Sequence, residues 1–146
     1  MKNKNPYKNS DSNKRYYTFD YYLRKTYGCK CAKVPLDMGL SCPNIDGTKG
    51  KGGCTFCSGK GSGDFCASAC LSVEEQFESQ KNMCSGKWKE FKYIPYFQAH
   101  SNTYGPLPYI KENVERAIRL DNIAGIAIAT RADCLSDATV ESLQDV

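Results

Sequence analysis

The spacing of hydrophobic positions changes several times along the chain, and each change marks an element. From Tyr16 to Tyr27 the aromatics and Leu23 recur at helix-compatible intervals, and Gly28 stands where a C-terminal stop belongs. Ala32 to Asp37 reads as a short strand, with Pro35 suited to a strand end or a sheet edge. Ser72, followed three residues later by Glu75, forms a capping box that opens a helix running to about Cys84. Tyr93 to Ala99 is an aromatic-rich strand, ended by the polar turn from Ser101 to Pro106. Ile110, Val114, Ala117, Ile118 and Leu120 trace one face of a helix between Tyr109 and Leu120. The run Gly125 to Ala129 suits a strand buried on both faces. Ser136 caps a last helix that runs to Val146.

Strand, helix, strand, helix, strand, helix is the order of repeated βα units, and it predicts an α/β fold of parallel strands covered by helices. Three strands make a poor closed architecture, and no stop signal precedes Val146. The chain is therefore expected to end inside its domain, with further repeats missing. Residues 1–14 are rich in Asn, Lys and Ser, with too little apolar surface to offset ordering, and read as a disordered polar tail. Residues 15–146 are read as one domain or a piece of one, in keeping with a length of 146 residues.

Composition alters this picture at one point. The apolar fraction is 40% and the charged fraction 25%, so wholesale disorder is excluded. Lys and Arg outnumber Asp and Glu by 20 to 16, a mild basic excess compatible with a polyanionic partner such as RNA but common without one. Nine cysteines, by contrast, are many for this length. The first ten residues have no apolar core of a signal peptide, and no later run approaches a membrane span of roughly 20 apolar residues. A cytoplasmic, reducing setting without membrane contact is the expectation, which favours thiolate ligands or free core thiols over disulfides.

The thiols concentrate in a glycine-rich stretch after the first strand, where Cys42, Cys54 and Cys57 form a C-x11-C-x2-C pattern. Thiolates are soft ligands for iron-sulfur clusters or zinc, and the two-residue gap lets one turn aim two sulfurs at the same centre. Three cysteines leave one iron of a cubane cluster open to a small molecule, whereas structural zinc takes four closed ligands. On spacing alone the two metals stand level. A non-catalytic zinc module would need a fourth cysteine, and Cys29, Cys31, Cys66 and Cys70 supply candidates.

Three separated strings carry a resemblance: PLDMGLSCPNIDGTKGKGGCTFC, YFQAHSNTYGP and GIAIATRADCLSD, in that order. Together they resemble the YhcC-like radical SAM family, which is similar in its core to the Elongator catalytic subunit. The resemblance implies a partial (βα) radical SAM barrel, of which this chain would be the N-terminal portion. It implies that Cys42, Cys54 and Cys57 ligate a 4Fe-4S cluster whose open iron takes the amino and carboxylate groups of S-adenosylmethionine. One electron, from a reductant such as a flavodoxin or ferredoxin, would then release a 5'-deoxyadenosyl radical, on a substrate the sequence does not name.

The resemblance further places Phe56 near the adenine, against the plainer role of packing on the cluster. Asn102 and Thr103, beside Ser101, follow the second strand where such enzymes present a glycine-rich turn to the cofactor. That turn is absent, and an ordinary polar β-turn is the competing reading. Arg131 follows the third strand in TRADC, with Ala132 where the family carries Pro; it either binds a carboxylate or pairs with Asp133. His100, the sole histidine, reads as a partly buried spacer, with a general-base role as the alternative. Cys84 and Cys134 read as packing residues. The Tyr-rich start, Tyr16 to Tyr22, reads as amphipathic packing before it reads as an RNA-stacking surface.

Overall fold

The structure is a computed structural model and describes residues 14–84 and 91–146, with the side chains of Met83 and Cys84 outside the description. The expected polar tail thus lies outside the described residues except for Lys14. Helix α1 (Phe19–Tyr27) opens on Thr18, whose hydroxyl accepts from the Tyr21 N–H, and closes at Gly28, whose N–H returns to the Arg24 carbonyl. Strand β1 (Lys30–Leu36) follows, then a long loop, helix α2 (Val73–Cys84), strand β2 (Phe91–Phe97) and helix α3 (Leu107–Ile118). Strand β3 (Ala127–Ile128), a short 3-10 turn (Ala132–Cys134) and helix α4 (Asp137–Gln144) complete the order. The strands form a parallel sheet in the order β1-β2-β3, so the fold is α/β, with four α-helices among the described residues.

Alternation along the strands sorts side chains onto two faces. On one, Val34, Leu36 and Phe97 pack with Val73 and Phe77 of α2 and with Ile110, Val114 and Ala117 of α3. This is the main core, as expected when helices connect parallel strands. On the other, Cys31 and Ile94 meet Leu23 of α1 in a smaller cluster with Ala124 and Ala127. The capping box closes as expected: the Ser72 N–H donates to Glu75 Oε2 at 2.8 Å and the Glu75 N–H to Ser72 Oγ at 3.2 Å.

The third strand departs from expectation. Only Ala127 and Ile128 form a continuous ladder with β2, and both are half-buried rather than enclosed on two faces. The cause lies on β2. The pairings Tyr93 with Ile123 and Tyr96 with Ala127 advance three residues on β2 but four on its partner, so one extra residue bulges between them. Pro95 sits in that interval and has no N–H to give the ladder. The Ala124 carbonyl, opposite the gap, accepts from the Tyr27 hydroxyl of α1. Pro35 lies on β1, an edge strand, as its chemistry requires.

Candidate metal centre

Residues 37–72 leave the C-terminal end of β1 and return to α2, and one side chain ties the two ends of this loop together. Gln76, nearly inaccessible, accepts from the Asp37 N–H at 2.8 Å and donates through Nε2 to the carbonyls of Asp37 and Leu71 at 2.9 and 3.0 Å. Within the loop the stretch between the first two cysteines folds on itself. The Cys42 carbonyl receives the N–H groups of Ile45 and Asp46, that of Pro43 receives Lys49 and Gly50, and that of Asn44 receives Gly53. Gly52 and Gly53 take φ values of 80° and 79°, which lets the chain reverse just before Cys54. The Cys57 N–H closes a turn onto the Cys54 carbonyl at 3.0 Å.

The long gap is therefore a compact hairpin-like turn that brings Cys54 and Cys57 back beside Cys42. All three line one cavity of about 430 Å³ at the C-terminal end of the sheet, together with Tyr96, His100 and Arg131. This is the end at which parallel α/β folds place their chemistry. Among the described residues, no three His, Cys, Asp or Glu side chains gather closely enough to hold a metal ion. Cys31 packs with Leu23 and Ile94 on the far side of the sheet, and Cys66 points its thiol at the Leu36 carbonyl, 3.5 Å away. Among the described residues, none of the four candidate fourth ligands, Cys29, Cys31, Cys66 and Cys70, lines the cavity.

Polar groups reach two of the sulfurs. Asn44 Nδ2 donates to Cys54 Sγ at 3.1 Å, while the Ser101 hydroxyl and Arg131 Nη1 lie 3.6 and 3.9 Å from Cys42 Sγ. Burial alone would push the Cys42 thiol up, but the Asn44 backbone N–H, Ser101 and Arg131 together hold it below the ordinary thiol range. Arg131 in turn forks onto Asp133, with Nε to Oδ1 and Nη2 to Oδ2 both at 2.9 Å. That guanidinium, with Lys49 second, holds the Asp133 carboxyl well below the usual carboxylate range.

Of the other residues singled out from sequence, Phe56 lines the cavity and is 84% exposed as a residue. Asn102 and Thr103 do not line it. Asn102 is fully buried, and its Nδ2 binds the carbonyls of Phe97, Ala99 and Ala129, pinning the ends of β2 and β3 together. The Thr103 hydroxyl bonds to Thr130 and to the Cys134 carbonyl. Ser101, their neighbour, is the one of the three that faces the cavity. His100 is half-buried and lines the cavity, its Nδ1 buried without a partner and its backbone at φ 58°, a conformation that non-glycine residues adopt mostly at constrained sites.

Cys66 gives this geometry a solution test. Burial first, and the Asp37 carboxylate second, push its thiol up to about 11. Cys70, four residues on, is exposed. Iodoacetamide at pH 8 is expected to alkylate Cys70 well before Cys66 in the folded chain, and Cys66 to gain reactivity only as pH rises toward its own value, as followed by peptide mass spectrometry. Equal rates at pH 8 would contradict the burial of Cys66.

The chain is 47% identical over all 146 of its residues to the uncharacterized protein YtqA of Bacillus subtilis. It is 37% identical over 121 residues to the protein YhcC of Escherichia coli and 34% identical over 131 residues to the uncharacterized protein MJ0486 of Methanocaldococcus jannaschii. These homologues support a YhcC-like family. The match to YtqA runs over the whole chain, so the cysteine loop and both later strand ends lie within it. The chain spans less than half the length of these relatives: 45% of YtqA and 38% of each of the other two. No protein-family model matches the chain, and no solved structure matches it. Among the described residues no helix is long and apolar enough to cross a membrane.

Proposed function

We propose that this chain is the cluster-binding portion of a radical SAM enzyme, in which Cys42, Cys54 and Cys57 hold a 4Fe-4S cluster. The observation that carries the reading is that three cysteines line one cavity at the C-terminal edge of a parallel sheet. A single zinc ion, with Zn–S bonds of about 2.3 Å, requires converged sulfurs and normally four of them. A multi-iron cluster brings its own bridging sulfides and takes its protein ligands from a wider ring. Three cysteines on the cavity, with no fourth among its lining residues, suit a cluster that keeps one iron open better than a closed zinc site. When bound, such a cluster supplies one electron to S-adenosylmethionine and so begins radical chemistry.

The chain's own residues support that task in distinct ways. Asn44 and Ser101 donate to ligand sulfurs, and the Cys42 thiol is already biased toward the thiolate that metal binding requires. The Phe56 ring stands at the cavity rim, where it offers a face to a nucleobase. Arg131 acts on Cys42 rather than on a ligand carboxylate, because Asp133 occupies its fork. Asn102 and Thr103 act as struts that fix Ser101 and Arg131 rather than as cofactor contacts. A flavodoxin or ferredoxin is the fitting electron donor, and the barrel whose first strands these are would close with the remainder of a longer protein.

Anaerobic reconstitution with ferrous iron and sulfide tests this. The expected result is a brown protein with charge-transfer absorption, whose reduced EPR spectrum changes when S-adenosylmethionine is added. A colourless protein that retains stoichiometric zinc after that treatment would overturn the reading in favour of a zinc module.

A further inference from the structure

The stretch between Cys42 and Cys54 is held from outside as well as from within. Thr48 Oγ1 lies 2.9 Å from the Tyr104 hydroxyl, and Lys49 Nζ donates to Asp133 Oδ2 at 2.8 Å. The same Asp133 carboxylate receives Nε and Nη2 of Arg131, and Arg131 Nη1 is then left facing Cys42 Sγ. One carboxylate beyond β3 thus touches both the far tip of the cysteine loop and the cation that reaches the first cysteine. An isolated exposed ion pair contributes little, but a bidentate fork shared with a second cation is the geometry in which such contacts hold position. A guanidinium is rigid and planar, so fixing two of its nitrogens fixes the direction of the third.

We propose that Asp133 is a positioning residue for this centre: it aims Arg131 at Cys42 and latches the loop through Lys49, so that closure of the loop and the electrostatic setting of Cys42 change together. The aiming half rests on the cluster reading above; the latch does not. Donors and positive charge near a ligand sulfur stabilise the reduced cluster and raise its potential. Asp133 itself carries negative charge, so its removal has two opposed consequences. Loss of the charge alone raises the potential, whereas loss of aim lets Arg131 swing away and lowers it.

Two measurements separate these. In the reconstituted protein, a redox titration followed by EPR is expected to show a lower potential in Arg131→Gln and, in the same direction, in Asp133→Asn. The double variant should lie at or above Arg131→Gln and never below it, because with no guanidinium left to aim only the loss of the Asp133 charge remains. A potential raised in Asp133→Asn would overturn the aiming role. In the cluster-free chain, limited trypsin digestion should cut after Lys51 several-fold faster in Asp133→Asn, with the cut after Lys111 on α3 unchanged. Lys49→Met should show the same acceleration while leaving the Arg131–Asp133 pair intact, which covers the case in which Asp133→Asn folds poorly. Unchanged cleavage in both variants would overturn the latch. If the parent chain takes up no cluster, the aiming role falls with the cluster reading, and the latch is still decided by digestion.

Discussion

Cys54→Ala is expected to abolish iron and sulfide retention after anaerobic reconstitution while leaving a folded protein. The expectation follows from what holds the loop. Its internal turns are backbone hydrogen bonds from the carbonyls of Cys42, Pro43 and Asn44, and its ends are joined through Gln76, none of which uses the Cys54 sulfur. The substitution removes the hydrogen bond that Asn44 Nδ2 gives to Cys54 Sγ, and Asn44 is half-buried, so water can satisfy it in place of the sulfur. Far-UV circular dichroism should therefore be unchanged while the visible absorption disappears. Cys66→Ala serves as the comparison, since Cys66 faces the Leu36 carbonyl away from the three and should keep full colour. If Cys54→Ala retains the parent's iron and sulfide, the assignment of the three cysteines is wrong; if Cys66→Ala loses them too, a fourth ligand has been overlooked.

How far the sequence revealed these features depended on the reach of the interaction. The capping box at Ser72 and the stop at Gly28 were legible because their partners lie within a few residues. The three cysteines were legible because their spacing is itself the chemical signal. The short β3 was not, because its interruption is set by Pro95 on a different strand. Likewise nothing near Asn102 in sequence marks it as a tie between two strand ends, because the Ala129 carbonyl it binds lies 27 residues away. Arg131 reaches a cysteine 89 residues earlier, and Lys49 an aspartate 84 residues later, distances at which no periodicity speaks. Gln76 escaped notice on the same ground: at position four of a helix it reads as solvent-facing, and only the returning loop buries it.

The second large effect is expected at Phe77→Ala. Phe77 is fully buried between α2 and the sheet, meets Tyr93 edge-on at 5.2 Å between ring centroids, and belongs to the main core with Val34, Leu36 and Phe97. Truncating such a ring costs about 3–5 kcal/mol through reduced burial and the cavity left behind, a large part of the roughly 5–15 kcal/mol that holds a typical domain together. A urea unfolding curve should show the midpoint fall steeply, and Phe77→Leu should fall less because more of the volume is kept. The consequence extends to the metal centre. Phe77 is adjacent to Gln76, so a loosened α2 also releases the hydrogen bonds that gather Asp37 and Leu71 at the two ends of the cysteine loop. Gln76→Ala separates the two contributions, because it leaves the ring in place and removes only the tie. If the loop depends on the tie, Gln76→Ala should retain less iron than the parent at a stability much closer to the parent's than that of Phe77→Ala. Full iron retention in Gln76→Ala would instead mean that the turns between Cys42 and Cys57 are sufficient by themselves.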